Sequence, residues 1–157
     1  MERLSYIDAH GVEVPAGAEA TWRALVDVAR RTLGDGDGAW LGRALRLSPA
    51  SAAGPWSPDP EPGTALPGFA VDRVEHGELL SLRGGHRFAR YRLDFELTAP
   101  DPDRSHLWAR TWADFPGPSG LAYRTLVIGT GAHRLVVNRL LHRIAARATR
   151  PAEASAA

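Results

Sequence analysis

The sequence predicts an α+β protein: a strand, two helices, an antiparallel meander and a long C-terminal helix, in that order. Three observations carry this. Apolar residues recur at steps of three and four in residues 18–33 and again in 137–148, the period of a helix with one buried stripe. The segment RYRLDFEL, residues 90–97, alternates strictly and so reads as a half-buried strand. Glycine-bearing turns, His76-Gly77 and Gly84-Gly85, separate strand-like runs just before it.

The bulk properties limit the alternatives. A chain of 157 residues with 44% hydrophobic and 24% charged content fits one globular domain with a real core. We expect that domain over 1–150, a Pro-rich loop at 48–67, and a disordered tail at 151–157. The absence of cysteine removes disulfides, thiolate metal sites and a Cys nucleophile. No apolar run approaches the ~18 residues of a membrane span, so no stable membrane insertion is expected. No secretory signal precedes the first strand, which makes the cytoplasm the default location. A net charge of +1 argues against nucleic acid as partner, although all 19 basic residues are Arg. That bias, with abundant Ala, Gly and Pro, reads as the codon usage of a GC-rich genome.

Taken in order, Ser5 to Val14 alternates partly and stops at Pro15, giving the first strand. Ala18, Trp22, Leu25, Val26, Ala29 and Leu33 then form one helical stripe, with Gly34 placed to end it. Trp40, Leu41, Ala44 and Leu45 suggest a second, short helix. Residues 48–67 hold six of the twelve prolines around a single aromatic, Trp56, and read as a long loop that is either mobile or flanks a pocket. A further short strand is expected near Arg46-Leu47-Ser48 or Ala65-Leu66.

Two-residue turns at His76-Gly77 and Gly84-Gly85 set Glu75 opposite Glu78, Arg73 opposite Leu80, and Leu82 opposite Arg87. The shared inner face then holds Phe69, Val71, Arg73, Glu78, Leu80, Leu82, Tyr91, Leu93, Phe95 and Leu97. The connection TAPDPDRS leaves the next strand two facings, and a one-residue slip would invert every side chain. The preferred facing buries Leu107, Ala109, Thr111, Ala113 and Phe115. It sets Arg90 opposite Asp114, Arg92 opposite Trp112 and Asp94 opposite Arg110, each a favourable cross-strand pair. The alternative would bury Arg110, at a cost of several kcal/mol unless paired.

From Ser119 to Ala148 the period is helical. Val137, Leu140, Leu141, Ile144 and Ala148 form the stripe, and Arg139, Arg143 and Arg147 an outer row. Within it, LVIGTGAHRLVV (126–137) imitates a dinucleotide-binding turn. The third glycine position is Arg134, however, and too little chain follows for a second strand and its acidic residue. We expect a kink or a close backbone contact at Gly129 to Gly131, and no nucleotide.

The order of elements resembles the START/polyketide-cyclase-like, helix-grip superfamily. The resemblance rests on GVEVPAGAEATWRAL at the start and ARTWADFPG running into the final helix. It implies a curved antiparallel sheet wrapped around the C-terminal helix, with a cavity between them for an apolar or amphipathic small molecule. It also implies seven strands, of which five are placed here. Some members act as cyclases or dehydratases, which leaves open whether this chain is an enzyme.

On that reading the ligand-binding residues are Phe69, Val71, Arg73, Glu78, Leu80, Tyr91, Leu93, Phe95, Ala109, Thr111 and Ala113. Large Tyr91 and Phe95 opposite small Ala109, Thr111 and Ala113 either leave space or interdigitate into a filled core. Arg73 and Glu78 read as a rim ion pair first and as ligand contacts second. The six histidines form no metal constellation: His10 follows Asp8 without a third ligand, His76 and His86 belong to turns, and His133 and His142 lie nine apart. No catalytic motif, metal or cofactor is assigned. A polar, partly buried acid–base pair at the cavity would favour an enzyme, and a purely apolar lining a carrier. Outer-face Trp108 and Trp112 form a patch that makes a homodimer a candidate assembly.

Overall fold

The computed structural model describes residues 4–34, 46–56 and 59–151. The elements are β1 (Ser5–Val14), α1 (Ala18–Gly34), β2 (Ala65–Leu66), β3 (Phe69–Glu75), β4 (Leu79–His86), β5 (Ala89–Asp101), β6 (Arg104–Asp114), α2 (Gly117–Arg124), a π-helical turn (Thr125–Gly129) and α3 (Ala132–Ala148). The expected short helix at Trp40, Leu41, Ala44 and Leu45 lies outside the described residues, as does the tail from 152.

Six strands form one curved antiparallel sheet in the order β1-β6-β5-β4-β3-β2. Both long helices lie on its concave side, α3 against β1 and α1. The α3 stripe is buried as the period requires, with Ile144 at 0% and Leu141 at 1% exposure. The buried surface of α1 is wider than the expected stripe: Thr21, Ala24 and Val28 are buried beside Trp22, Leu25, Val26 and Ala29. The Pro-rich loop packs against this helix. Its Trp56 is buried, and its indole Nε1 donates to the Val26 carbonyl at 3.0 Å. The loop also makes two β-bridges, Ser48 with Gly85 and Ala53 with Ala65, so both expected short-strand positions carry β pairing.

The facing chosen for β6 is the one found: Arg90 pairs with Asp114, Arg92 with Trp112 and Asp94 with Arg110. Leu107, Ala109, Thr111 and Ala113 are buried, while Arg92 lies 4.1 Å over the Trp112 ring. The charges also reach beyond these pairs, Arg110 diagonally to Glu96 at 3.0 Å and Arg92 along its own strand to Asp94 at 3.3 Å.

Both hairpin turns differ from expectation. The β3–β4 loop has three residues, His76 to Glu78, so Glu75 meets Leu79 and Arg73 meets Ser81. The odd slip turns Arg73 outward. A bulge at Asp72 restores the expected facing, with Val71 opposite Leu82. The β4–β5 turn falls at Arg87-Phe88, not at Gly84-Gly85, and Leu82 meets Leu93. That slip is even, so the inner face survives it. Gly84 serves a close approach instead: a Cβ there would sit 1.8 Å from the Gly68 carbonyl oxygen.

The segment LVIGTG is helical. Thr125 and Thr130 turn their hydroxyls back to the Leu121 and Leu126 carbonyls, a habit that bends helices. The π-turn follows, and Gly131 at φ 75° starts α3 in a new direction.

Candidate functional site

A cavity of about 250 Å³ lies between the concave face of β4–β6 and the segment formed by α2, the π-turn and the start of α3. Its position follows from that break. An uninterrupted helix would carry α2 straight on from α3, whereas the π-turn and Gly131 let Tyr123, Val127 and Ile128 fold over the sheet end.

One wall is aromatic. Phe69 and Tyr91 lie 5.1 Å apart, His86 meets Tyr123 edge-on at 4.7 Å, and Phe88 stacks on Tyr123 at 5.8 Å. The Tyr91 hydroxyl donates to the Gly68 carbonyl at 2.8 Å, and burial holds this phenol protonated far above the usual tyrosine range. Burial likewise raises the Tyr123 phenol and lowers His86, so all three groups are neutral near pH 7. The Phe88 amide donates to His86 Nδ1 at 3.2 Å. In the neutral ring this places the proton on Nε2.

At the other edge stands a polar group. Asp8 and His10 share the inward face of β1, paired with Thr111 and Ala109. His10 Nε2 lies 3.0 Å from Asp8 Oδ2; His133 Nε2 lies 3.2 Å from Thr111 Oγ1 and 3.4 Å from Asp8 Oδ1. Asp8 Oδ1 is buried without a hydrogen-bond partner.

The expected site residues separate into three groups. Phe69, Tyr91, Leu93, Thr111 and Ala113 line the cavity. Val71, Leu80, Phe95 and Ala109 are buried in the hydrophobic core and do not line it. So the pairing of large with small residues leaves room at Tyr91–Ala113 and fills it at Phe95–Ala109. Arg73 and Glu78 are exposed at the far hairpin, and Arg73 pairs with Glu75 instead of Glu78. The longer turn is the reason. Phe115, which the β6 facing places inward, also lines the cavity.

Sequence reasoning missed His86, Tyr123, His133 and the Asp8–His10 face. Two signals were present. His86 has the parity of Leu80 and Leu82, once the turn is moved beyond it. Asp8 and His10 have the parity of Val12 and Val14, one of which is fully buried.

Among the described residues no group of three or more His, Cys, Asp or Glu is arranged to hold a metal ion, and no helix is long and apolar enough to cross a membrane. No family model and no curated protein sequence matches the chain. Solved structures do. The Zhui aromatase/cyclase from Streptomyces sp. R1128 is similar at a TM-score of 0.63 and 11% identity, over 98% of each chain. Truncated norcoclaurine synthase from Thalictrum flavum is similar at 0.56 and 13%, over 96% of this chain and 99% of that one. A conserved protein from Geobacillus kaustophilus gives 0.51 and 12%, over 89% and 93%. Likeness at these identities establishes architecture alone, and the chain has the helix-grip fold expected from the sequence.

Proposed function

We propose that this protein binds a small, flat, largely apolar molecule in the cavity between the sheet and the α2–α3 segment. The observation that carries this is the cavity itself, about 250 Å³ with an aromatic wall. A dry apolar cavity of about 150 Å³ takes one benzene ring, so this one suits one or two fused rings. That is smaller than a sterol or a long acyl chain. The size narrows a lipid- or polyketide-like ligand to a short aromatic or alicyclic one, with the cytoplasm as the compartment we assign. The neutral polar groups, Tyr123 Oη and His86 Nε2–H, would orient it.

Two similar structures bear the names of enzymes, an aromatase/cyclase and a synthase. The polar group at His133 favours a catalytic reading for this chain too. An interaction module on the outer Trp face has less support. Trp112 is covered by Arg92 and the edge of Tyr6, and Trp108 stacks on His106.

The test is uptake of 2-naphthol, followed by fluorescence, in the wild type and in Ala113→Leu. The leucine would occupy the space opposite Tyr91. We expect saturable binding by the wild type and a loss of at least about tenfold in the variant, with an unchanged near-UV spectrum. Failure of the wild type to bind 2-naphthol or other two-ring probes would sink the reading.

A further inference from the structure

Beyond binding, we propose that His133, backed by Asp8, is the base of a proton-transfer site that interconverts the keto and enol forms of a one- or two-ring ketone. The proposal rests on the cavity being a binding site. Four observations support it.

First, His133 and Thr111 both line the cavity, so a ligand there touches the imidazole. Second, Asp8 Oδ1 is buried, unpartnered and 3.4 Å from His133 Nε2. An orphaned carboxylate oxygen is costly. The Nε2–H of His133 is the donor nearest to it, which leaves the lone pair a base needs on Nδ1. His10, at 3.0 Å, holds the other carboxylate oxygen and fixes the orientation.

Third, Thr111 Oγ1 and Asp8 Oδ1 approach the same nitrogen of His133. A nucleophile triad needs the hydroxyl and the carboxylate on different nitrogens. The arrangement therefore suits proton transfer and not acyl transfer by Thr111. Fourth, Tyr123 Oη and His86 Nε2 are neutral donors beside the same cavity. Strand β5 separates β4, which carries His86, from β6, which carries Thr111. Two strand spacings are about 10 Å, and the side chains shorten this from both sides.

In the reaction His133 Nδ1, with Nε2–H held toward Asp8 and Thr111, removes a proton from the carbon next to the carbonyl. The C–H pair becomes the C=C bond, and the carbonyl π pair moves onto oxygen, where Tyr123 and His86 donate hydrogen bonds. The proton returns to oxygen to give the enol, or to carbon to regenerate the ketone. Nothing is oxidised or reduced, and no co-reactant is needed.

The probe is 2-tetralone in D₂O, with loss of its C1 proton signal followed by NMR. Binding is read separately from line broadening of the same signals, and folding from thermal melts. We expect the wild type to exceed the buffer rate at least about tenfold. A positioned base contributes about 10²–10⁴, so His133→Gln should fall to the buffer rate. Asp8→Asn and Tyr123→Phe should each lose about tenfold while still binding. If His133→Gln does not fold, His133→Asn and Tyr123→Phe carry the test. Binding without exchange above buffer overturns the proposal and leaves the binding reading intact. Wild-type exchange in folded His133 and Tyr123 variants also overturns it. Absence of binding overturns both.

Discussion

Gly84 and Gly131 look alike in the sequence, yet they answer different needs. At Gly84 a methyl group would collide with the Gly68 carbonyl oxygen, and both partners are backbone. At Gly131 there is open space, but φ is 75°. Gly84→Ala should therefore act as overpacking, costing about 1–3 kcal/mol or more. Gly131→Ala should cost about 1–2 kcal/mol through the left-handed backbone alone. Urea midpoints at constant m measure both. A Gly84→Ala variant as stable as wild type would contradict the β4 pairing. The separation of Phe95 from Tyr91 is checked in the same way. Phe95→Ala, at 0% exposure, should lose about 3–5 kcal/mol without affecting naphthol binding. These roles were not legible at the residue scale, because a glycine pair signals a turn and a close backbone approach equally well.

Among the elements, the Pro-rich loop changes most between sequence and structure. Its composition marks it as irregular, but only the fold shows that it is anchored. Trp56 reaches the Val26 carbonyl, and Trp22 Nε1 donates to Asp59 at 3.1 Å. Trp56→Ala should cost about 3–5 kcal/mol and expose residues 48–67 to limited proteolysis. The loop also has a pH-dependent latch. His76 places one ring nitrogen 3.1 Å from Glu19 and the other 2.9 Å from Asp59, and only the imidazolium donates to both. The hydrogen bond to Glu19, then that to Asp59, raises the His76 pKa above 6.5. The His76 hydrogen bond to Glu19 and the Trp22 hydrogen bond to Asp59 are the main causes that lower those carboxyls. The His76 contribution is complete below about pH 6.5 and fades as pH rises through its folded value. The carboxylate contribution is present above about pH 4.5 and fades in acid. The latch is therefore strongest between these limits. NMR titration should place His76 above 6.5, and Asp59→Asn should bring it down. These groups are exposed, so the effect on global stability is small. The β6 facing, by contrast, was decided in the sequence by charge pairs on the outer face.

For the whole molecule, the order of elements, the sheet direction, the inner face of β5 and β6 and the stripe of α3 were determined by the sequence. Periodicity and cross-strand charge are local, so they survive without knowledge of the rest of the chain. The same logic carries the expectation for the outer face. With Trp112 already covered by Arg92 and Tyr6, light scattering should report a single concentration-independent mass; a rising mass would return that face to the list of interfaces. Where the apolar faces fail to meet depends instead on how distant segments assemble. Turn lengths displace strands by whole residues, an even slip leaving a face intact and an odd slip inverting it. A break in a helix is a one-turn event that opens about 250 Å³. Asp8, His86, Tyr123 and His133 come from two strands and two helices far apart in the chain, and no spacing rule links them. The closing of the sheet on α3 brings the last three to one cavity, with Asp8 beside His133, because residues paired across the sheet have to share the concave side.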